Sequence, residues 1–443
     1  MTPFPPPSCI LWQNNSQSTI LIDIPRSIEE AQHLSSYSRG HLTSRADDEQ
    51  PLKHVGPDKT PPFRRLISAV APALPFPTPE PKPGGRYQSA ATTSQSAQLA
   101  ELMTLATVES ALDDIRTSYN GPWCLPRITS KPVVQAKEKK RPVRPEGNTE
   151  PKDSTAAIII AASTSIPAST LPPDPVPSSH YIPPDSTPLN GSISSLRTQF
   201  LTLSPRFSLV ILDPPWPNRS AKRKRSGSDS YSSLPSLTQT QSLLSSIPVP
   251  SCLLPDGLVA VWITNAPRFH TLLTSIIFPE WDVELVGEWV WLKVTSEGEP
   301  IVSLESQWRR PWERLVLGRR KGGVTRGAVK GKVILGVPDM HSRKPNLRKL
   351  FEEAGLVERG YKGLEVFARH LTAGWWGWGD ECLKFQGREW WVAEGECEDR
   401  GADGGREGCC EGEEGEKVRE TDISYRLDTQ SFASPPPLQE KMK

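Results

Sequence analysis

The run Phe207-Ser208-Leu209-Val210-Ile211-Leu212 leads directly into Asp213-Pro214-Pro215-Trp216. A short, almost wholly apolar run that stops at a proline turn reads as a buried strand. The four residues that follow then sit at the strand's carboxyl end, the edge where open α/β sheets bind ligands. Their chemistry suits an exocyclic amino group on a planar base. An ionised Asp213 can only accept hydrogen bonds. Pro214 and Pro215 offer carbonyls, lack N–H donors and stiffen the turn. Trp216 supplies a flat face on which a base can stack.

The segments that follow keep to the same architecture. Gly257–Thr264, Val283–Lys293, Glu313–Leu317, Val333–Val337 and Leu364–Phe367 read as strands. Arg268–Ile277 and Pro345–Glu358 read as helices, the latter with Leu347, Leu350, Phe351 and Ala354 on one face. Strands alternating with helices predict an α/β sheet. No GxGxxG and no GxxxxGK[ST] occurs, which argues against a dehydrogenase of the Rossmann type and against a P-loop enzyme.

Composition divides the chain. Of 443 residues 46 are proline, crowded into the first half and the extreme C-terminus, whereas of 14 tryptophans only Trp12 and Trp123 precede Trp216. The expected layout is a small strand–strand–helix element over residues 1–33 that docks on the main domain, a disordered linker over 34–95, an amphipathic helix within 96–127, a mostly disordered linker over 128–187, the α/β domain over 188–392 and a disordered acidic tail over 393–443. In the first element Ile10–Trp12 and Ile20–Ile22 read as strands, and Ser27-Ile28-Glu29-Glu30 as a capping box. Leu99, Leu102, Met103, Leu105, Ala106, Leu112 and Ile115 form a stripe on the helix expected over Gln98–Thr117, read as core-facing. Ala156–Ala162 reads as one more short strand.

The net charge of +1 hides a segregation of charge. Arg219, Lys222, Arg223, Lys224 and Arg225 follow the proline turn, and a second basic region begins at Arg309 and Arg310. Asn218 and these two clusters are candidate nucleic-acid contacts, because basic loops beside a base-binding turn suit a phosphate backbone. Seven scattered cysteines and no secretory leader pattern point to a reducing, intracellular setting, and no apolar run is long enough for a membrane span. Cys397, Cys409 and Cys410 lack metal-site spacing, so no metal is expected. Lys137–Arg144 reads as a nuclear import signal.

Taken in order, Asp213–Ser220 (DPPWPNRS), Glu288–Glu299 (EWVWLKVTSEGE), Arg309–Arg319 (RRPWERLVLGR), His341–Pro345 (HSRKP), Glu365–Trp375 (EVFARHLTAGW) and Trp378–Gln386 (WGDECLKFQ) resemble the MT-A (seventy kilodalton) family of adenine N6-methyltransferases, in particular its methyltransferase-like protein 4 branch. The resemblance runs from about Phe207 to Gln386. It implies a Rossmann-like class I methyltransferase sheet in circularly permuted order, with the catalytic motif first and the cofactor-binding part last, and S-adenosyl-L-methionine as cofactor. It also implies that Asp213, Pro214, Pro215 and Trp216 are catalytic, with Asp213 and the Pro214 carbonyl holding the target amine and Trp216 stacking on the base. Lys344 falls at the methionine end of the cofactor, with Asp213 beside it. Phe367 and Arg369 flank its adenosine or ribose, and Asp380 and Glu381 contact the ribose hydroxyls. Asp380 stands where relatives often carry Asn, which removes an amide donor. Trp375, Trp376 and Trp378 read as packing residues.

Three functions stay open on these grounds: adenine N6 methylation of RNA such as a small nuclear RNA, the same reaction on DNA, or a non-catalytic nucleic-acid-binding subunit. The intact Asp213, Pro214 and Trp216 favour catalysis, and family analogy favours RNA. A monomer in the nucleus is the expected state, with the cytoplasm also open.

Overall fold

Residues 8–34, 63–77, 95–129, 179–217, 236–306, 309–323, 327–340 and 343–393 are described by the computed structural model. Their strands are β1 (Ile10–Gln13), β2 (Thr19–Ile22), β3 (Arg64–Leu66), β4 (Thr187–Asn190), β5 (Phe207–Leu212), β6 (Leu253–Ile263), β7 (Val283–Lys293), β8 (Trp312–Arg320), β9 (Lys332–Gly336), β10 (Gly363–Val366), β11 (Trp376–Gly379) and β12 (Trp391–Ala393). The helices are α1 (Ile24–Ala31), α2 (Gln95–Ser118), α3 (Ile193–Leu203), α4 (Leu237–Ser245), α5 (Val249–Cys252), α6 (Pro267–Leu272), α7 (Phe278–Glu280) and α8 (Arg348–Glu353).

Ten strands form one mixed sheet in the order β1-β2-β9-β7-β8-β6-β5-β10-β11-β4. From β6 to β4 every neighbouring pair is parallel, so five carboxyl ends lie along one edge. β5 lies inside this run, between β6 and β10, and its alternate residues enter two different cores. Val210 and Leu212 pack with Phe200, Val261 and Trp378, while Leu209 and Ile211 pack with Trp262, Trp289 and Leu347. Burial on both faces is what a continuous apolar strand in a parallel sheet requires. The α/β class is as the motifs implied. In chain order the strand bearing Asp213 precedes the one bearing Glu365–Arg369, an order consistent with the expected permutation.

The N-terminal element docks by strand addition. β1 and β2 form an antiparallel pair, and β2 lies parallel to β9 with Thr19 opposite Val333. Helix α1 begins before the expected capping box. Its cap is Asp23, whose carboxylate accepts the Arg26 N–H at 2.9 Å, with Pro25 in the first turn. Ser27 instead donates to the Ile24 carbonyl at 2.7 Å, and Glu30, the acid of the expected box, accepts the Cys9 N–H at 2.7 Å.

Three further expectations change. Residues 63–77, placed in a disordered linker, include β3, which pairs antiparallel with β12; the backbone N–H and C=O groups of two short segments satisfy each other there. The stripe on α2 is core only in its second half. Val108, Ala111, Leu112 and Ile115 are buried, whereas Leu99, Leu102 and Met103 are 60%, 62% and 64% exposed. The helix expected over Arg268–Ile277 is α6 continued by a π turn over Leu273–Ile277. The strand expected over Ala156–Ala162 and the basic run Lys137–Arg144 lie outside the described residues.

Candidate active site

At the carboxyl end of β5 the chain turns under a short hydrogen bond from the Trp216 N–H to the Pro214 carbonyl, at 2.8 Å. That carbonyl keeps one lone pair for a substrate amine. The Asp213 N–H donates to the Val366 carbonyl at 3.3 Å, which ties the turn to the end of β10. Two segments far apart in sequence therefore meet because β5 and β10 are neighbours with Leu212 opposite Val366.

Trp216 departs from its expected role. Its ring is 7% exposed, lies 4.7 Å from the Phe269 ring, and its Nε1–H donates to the Trp262 carbonyl at 2.7 Å. Little of the ring is left exposed for a base to stack on. The indole instead fastens the turn to β6, because a buried indole N–H must find an acceptor and the end of β6 supplies one.

Lys344 stands between two carboxylates, 3.2 Å from Asp213 Oδ1 and 2.9 Å from Glu313 Oε2, and Glu313 also holds Lys293 at 2.5 Å. The register puts Glu313 opposite Trp291, one residue into β8, at the same edge as Asp213. Burial pulls the Lys344 ammonium down, but Asp213 and then Glu313 outweigh it and hold the lysine above its ordinary value. Burial likewise pushes the Glu313 carboxyl up, and Lys293 and Lys344 hold it far below the usual glutamate range. The result is a row of fixed, alternating charges that ends at Asp213. Arg343, next to Lys344, is buried, paired with Asp339, and lies over the Phe385 ring at 4.3 Å, so the backbone that carries Lys344 is anchored from below.

The other expected cofactor residues line the ends of β10 and β11. Phe367 has φ of 62°, a left-handed conformation rare for a bulky side chain, and its N–H donates to the Trp378 carbonyl at 2.7 Å. Gly379 has φ of 155°, and a Cβ there would stand 3.1 Å from the Phe367 Cα, so only glycine lets the two loops approach this closely. Arg369 Nε pairs with Glu381 Oε2 at 3.1 Å, and Asp380 is exposed beside it. Trp375 and Trp378 are buried packing residues, as expected.

The basic candidates separate. Asn218, Lys222, Arg223, Lys224 and Arg225 lie outside the described residues. Arg309 is exposed at the mouth of β8. Arg310 is taken up by the fold: it pairs with Glu101 of α2 at 2.7 Å and donates to the Leu304 and Ser306 carbonyls, each at 2.9 Å.

Three residues emerge only from the fold. Glu365 in β10 lines a small cavity with Asp213, Lys344, His370, Trp262 and Trp375. Burial first and the Asp213 charge second push its carboxyl up to about 8. A glutamate inside the apolar run Leu364-Glu365-Val366 was the available signal, since such a residue is rarely placed in a central strand without a purpose. Glu313 carried the same signal, as the acid that opens an apolar strand. Asn190 ends β4 opposite Gly379, and nothing in its local sequence marks it. A larger groove of about 400 Å³ between α1 and α8 shares only Asn346 with this cavity, and its lining mixes Glu30, Glu352 and Glu353 with Lys349 and Arg359. It lacks the turn and the strand ends, so the chemistry assigns the site to Asp213.

Among the described residues no group of three or more His, Cys, Asp or Glu side chains is disposed to hold a metal, and no helix is long and apolar enough to cross a membrane. The MT-A70 family pattern matches residues 207–381. An N6-methyladenosine RNA methyltransferase, MTA1, of Cryphonectria parasitica is 43% identical over 86% of this chain and 94% of its own length. The human N(6)-adenine-specific methyltransferase METTL4 is 35% identical over 48% of this chain and 45% of its own. A DNA N6-methyl methyltransferase of Caenorhabditis elegans is 31% identical over 43% of this chain and 50% of its own. With the catalytic turn, the ion-paired lysine and the glycine-permitted crossing of two loops in place at one sheet edge, the chain belongs to the MT-A70 family and is an adenine N6-methyltransferase.

Proposed function

We propose that this chain methylates the N6 amine of adenine in RNA, with S-adenosyl-L-methionine as methyl donor and no metal, and works in the nucleus. One observation carries the choice of RNA. The similarity to an enzyme named for RNA extends over 86% of this chain and 94% of that enzyme, whereas the similarity to an enzyme named for DNA is confined to 43% of this chain. What supports the cofactor is the chemistry at the site. Lys344 and Arg369 are cations suited to a carboxylate, Asp380 and Glu381 can accept from ribose hydroxyls, and the close Phe367–Gly379 crossing brings the ends of β10 and β11 together.

The bound cofactor supplies a methyl group already activated by its sulfonium. The residues of this chain then have two tasks. Adenine's exocyclic amine is a poor nucleophile, because its lone pair is delocalised into the ring. Asp213 and the free lone pair of the Pro214 carbonyl accept its two N–H groups, which favours a tetrahedral nitrogen and stabilises the positive charge that develops there. Trp216 holds the turn still by its bond to Trp262, and Lys344 holds the Asp213 carboxylate in one orientation. Fixed placement of this kind lowers the barrier by removing reorientation at the moment of reaction. The target adenine has to be unpaired or flipped to reach the turn.

Transfer of a radiolabelled methyl group to matched RNA and DNA oligonucleotides, followed by nucleoside analysis, tests the reading. N6-methyladenosine in the RNA product is expected. Label found only in DNA would overturn the choice of substrate.

A further inference from the structure

We propose that Glu365 is a cofactor-binding residue that carries a proton in the free protein and surrenders it when the cationic cofactor arrives, so that cofactor capture and proton release are one event. The inference rests on the reading that this cleft binds S-adenosyl-L-methionine, and it concerns how that binding is balanced electrically.

The geometry comes first. Glu365 lies opposite Ile211 in the β5–β10 register, and Ile211 and Asp213 alternate to the same side of the sheet. Glu365 and Asp213 accordingly line one cavity, with Lys344 and His370. That cavity has about 20 Å³, room for one water and no more. The cavity is too small for the cofactor, which belongs at the strand ends above it, and it sets Glu365 beside a space the size of one water. Two buried nitrogens around it, His370 Nε2 and Trp375 Nε1, have no protein partner, so its wall offers a water polar contacts.

The charges decide the rest. Asp213 and Glu313 share Lys344, Glu313 also has Lys293, and Glu381 has Arg369 and Lys384. Of the cleft carboxylates only Glu365 and the exposed Asp380 have no ion-pair partner among the described residues. The groups that face it are Asp213 from β5, Lys344 from the segment before α8, His370 after β10, and Cys382 after β11; β6 contributes only the Trp262 ring. Burial, then Arg343 and Arg369, push the His370 imidazole down to about 3, and burial holds the Cys382 thiol up to about 12, so neither is charged at neutral pH. With Glu365 protonated, Asp213, Glu313, Glu381 and the exposed Asp380 stand against Lys344, Lys293, Arg369 and Lys384, four charges of each sign. S-adenosyl-L-methionine brings a sulfonium and an ammonium against one carboxylate, a net single positive charge. The compensating negative charge is Glu365 itself, whose carboxyl stands at about 8 in the free cleft and falls when two cationic groups come near.

The size of the effect follows from linkage. A carboxyl at about 8 is ionised in about one molecule in a hundred at pH 6 and in about half at pH 8, so affinity rises about 50-fold over that interval and levels off above it. At pH 7 binding releases about 0.9 of a proton. The sign for the free protein is the opposite one. A raised carboxyl contributes stability that is fully present below its ordinary value, near 4.5, and lost as pH rises through about 8. Glu365→Gln removes that loss.

Calorimetry of S-adenosyl-L-methionine binding to the full-length chain, in two buffers of different ionisation enthalpy at pH 6, 7, 8 and 9, counts the protons. The cofactor's own ammonium titrates alike with both proteins, so the difference between wild type and Glu365→Gln belongs to this residue. We expect about one proton released by the wild type at pH 7, almost none by the variant, and an affinity for the variant that no longer rises from pH 6 to pH 8. An infrared difference spectrum of the wild type should show loss of a protonated-carboxyl band on binding, which decides the matter even if the variant folds poorly. Free Glu365→Gln should match the wild type in stability at pH 5 and exceed it at pH 9. Binding with no proton released, or with the same release by the variant, overturns the assignment of Glu365. No binding at any pH overturns the cofactor reading beneath it.

Discussion

Trp216→Phe separates two physical accounts of the catalytic turn. In the structure the indole is a clamp: it is 7% exposed and donates from Nε1 to the Trp262 carbonyl at 2.7 Å. Phenylalanine keeps the contact with Phe269 and loses the donor, which leaves a buried carbonyl short of a partner at a cost of about 1–3 kcal/mol. The missing pyrrole edge adds a void worth about 1–2 kcal/mol, since β5 and β6 cannot collapse around it. The expected loss is about 2–5 kcal/mol, or about a 1 M fall in urea midpoint at a slope of about 3 kcal/mol per M. Urea unfolding followed by far-ultraviolet circular dichroism reads this directly, and single-turnover methylation should slow because Asp213 and Pro214 are no longer held. RNA affinity should hardly change. If Trp216 were a stacking platform instead, the variant would unfold at the wild-type midpoint while RNA binding fell by tenfold or more, since stacking on an aromatic ring is worth about 1–3 kcal/mol per base. That pair of results would refute the clamp.

Asp213→Asn should reduce methyl transfer by at least about 100-fold, the scale of losing one preorganised electrostatic contact in an active site; near-normal turnover by nucleoside analysis would remove Asp213 from the amine-binding role. Glu313→Gln should flatten the acid limb of the stability curve. The folded carboxyl lies far below its ordinary value, so its contribution is present above about 4.5 and is lost as pH falls below that, and urea melts from pH 7 down to about pH 3 would show a wild-type loss that the variant lacks. Lys344→Met leaves two carboxylates facing each other across a vacated cation and should cost about 3–5 kcal/mol, with a weakened cofactor by calorimetry; an unchanged melt would mean the charge row is solvated. Arg309→Ala should lower the slope of log affinity against log salt for RNA by about 1, whereas Arg310→Ala should leave the slope and lower stability, because its guanidinium is committed to Glu101 and two carbonyls; equal slopes for both variants would argue against the separation.

The local record was sufficient for a good part of this protein. Six apolar residues ending in Asp-Pro-Pro-Trp marked β5 and its turn, because a strand buried on both faces leaves no room for a polar residue until the chain emerges. Val283–Lys293 was legible as β7 from its valines, leucines and tryptophans, although Glu284–Glu288 is exposed or half-buried, and the motifs that follow named the residues at the other strand ends. What the local record could not hold was pairing. Whether a tryptophan stacks on a ligand or fastens a turn depends on which carbonyl stands opposite it, and Trp262 is far away in sequence. Whether an arginine meets RNA or a glutamate depends on α2, whose Glu101 reaches Arg310 only after the chain has folded back. β3, β4, β11 and β12 are too short for periodicity to reveal, and they become strands because a neighbour offers its backbone hydrogen bonds. Glu365 shows the division most clearly. Its identity and its apolar neighbours were visible from the start, but burial and the charge of Asp213 push its carboxyl up, and those two residues share a cavity only because β5 and β10 lie side by side.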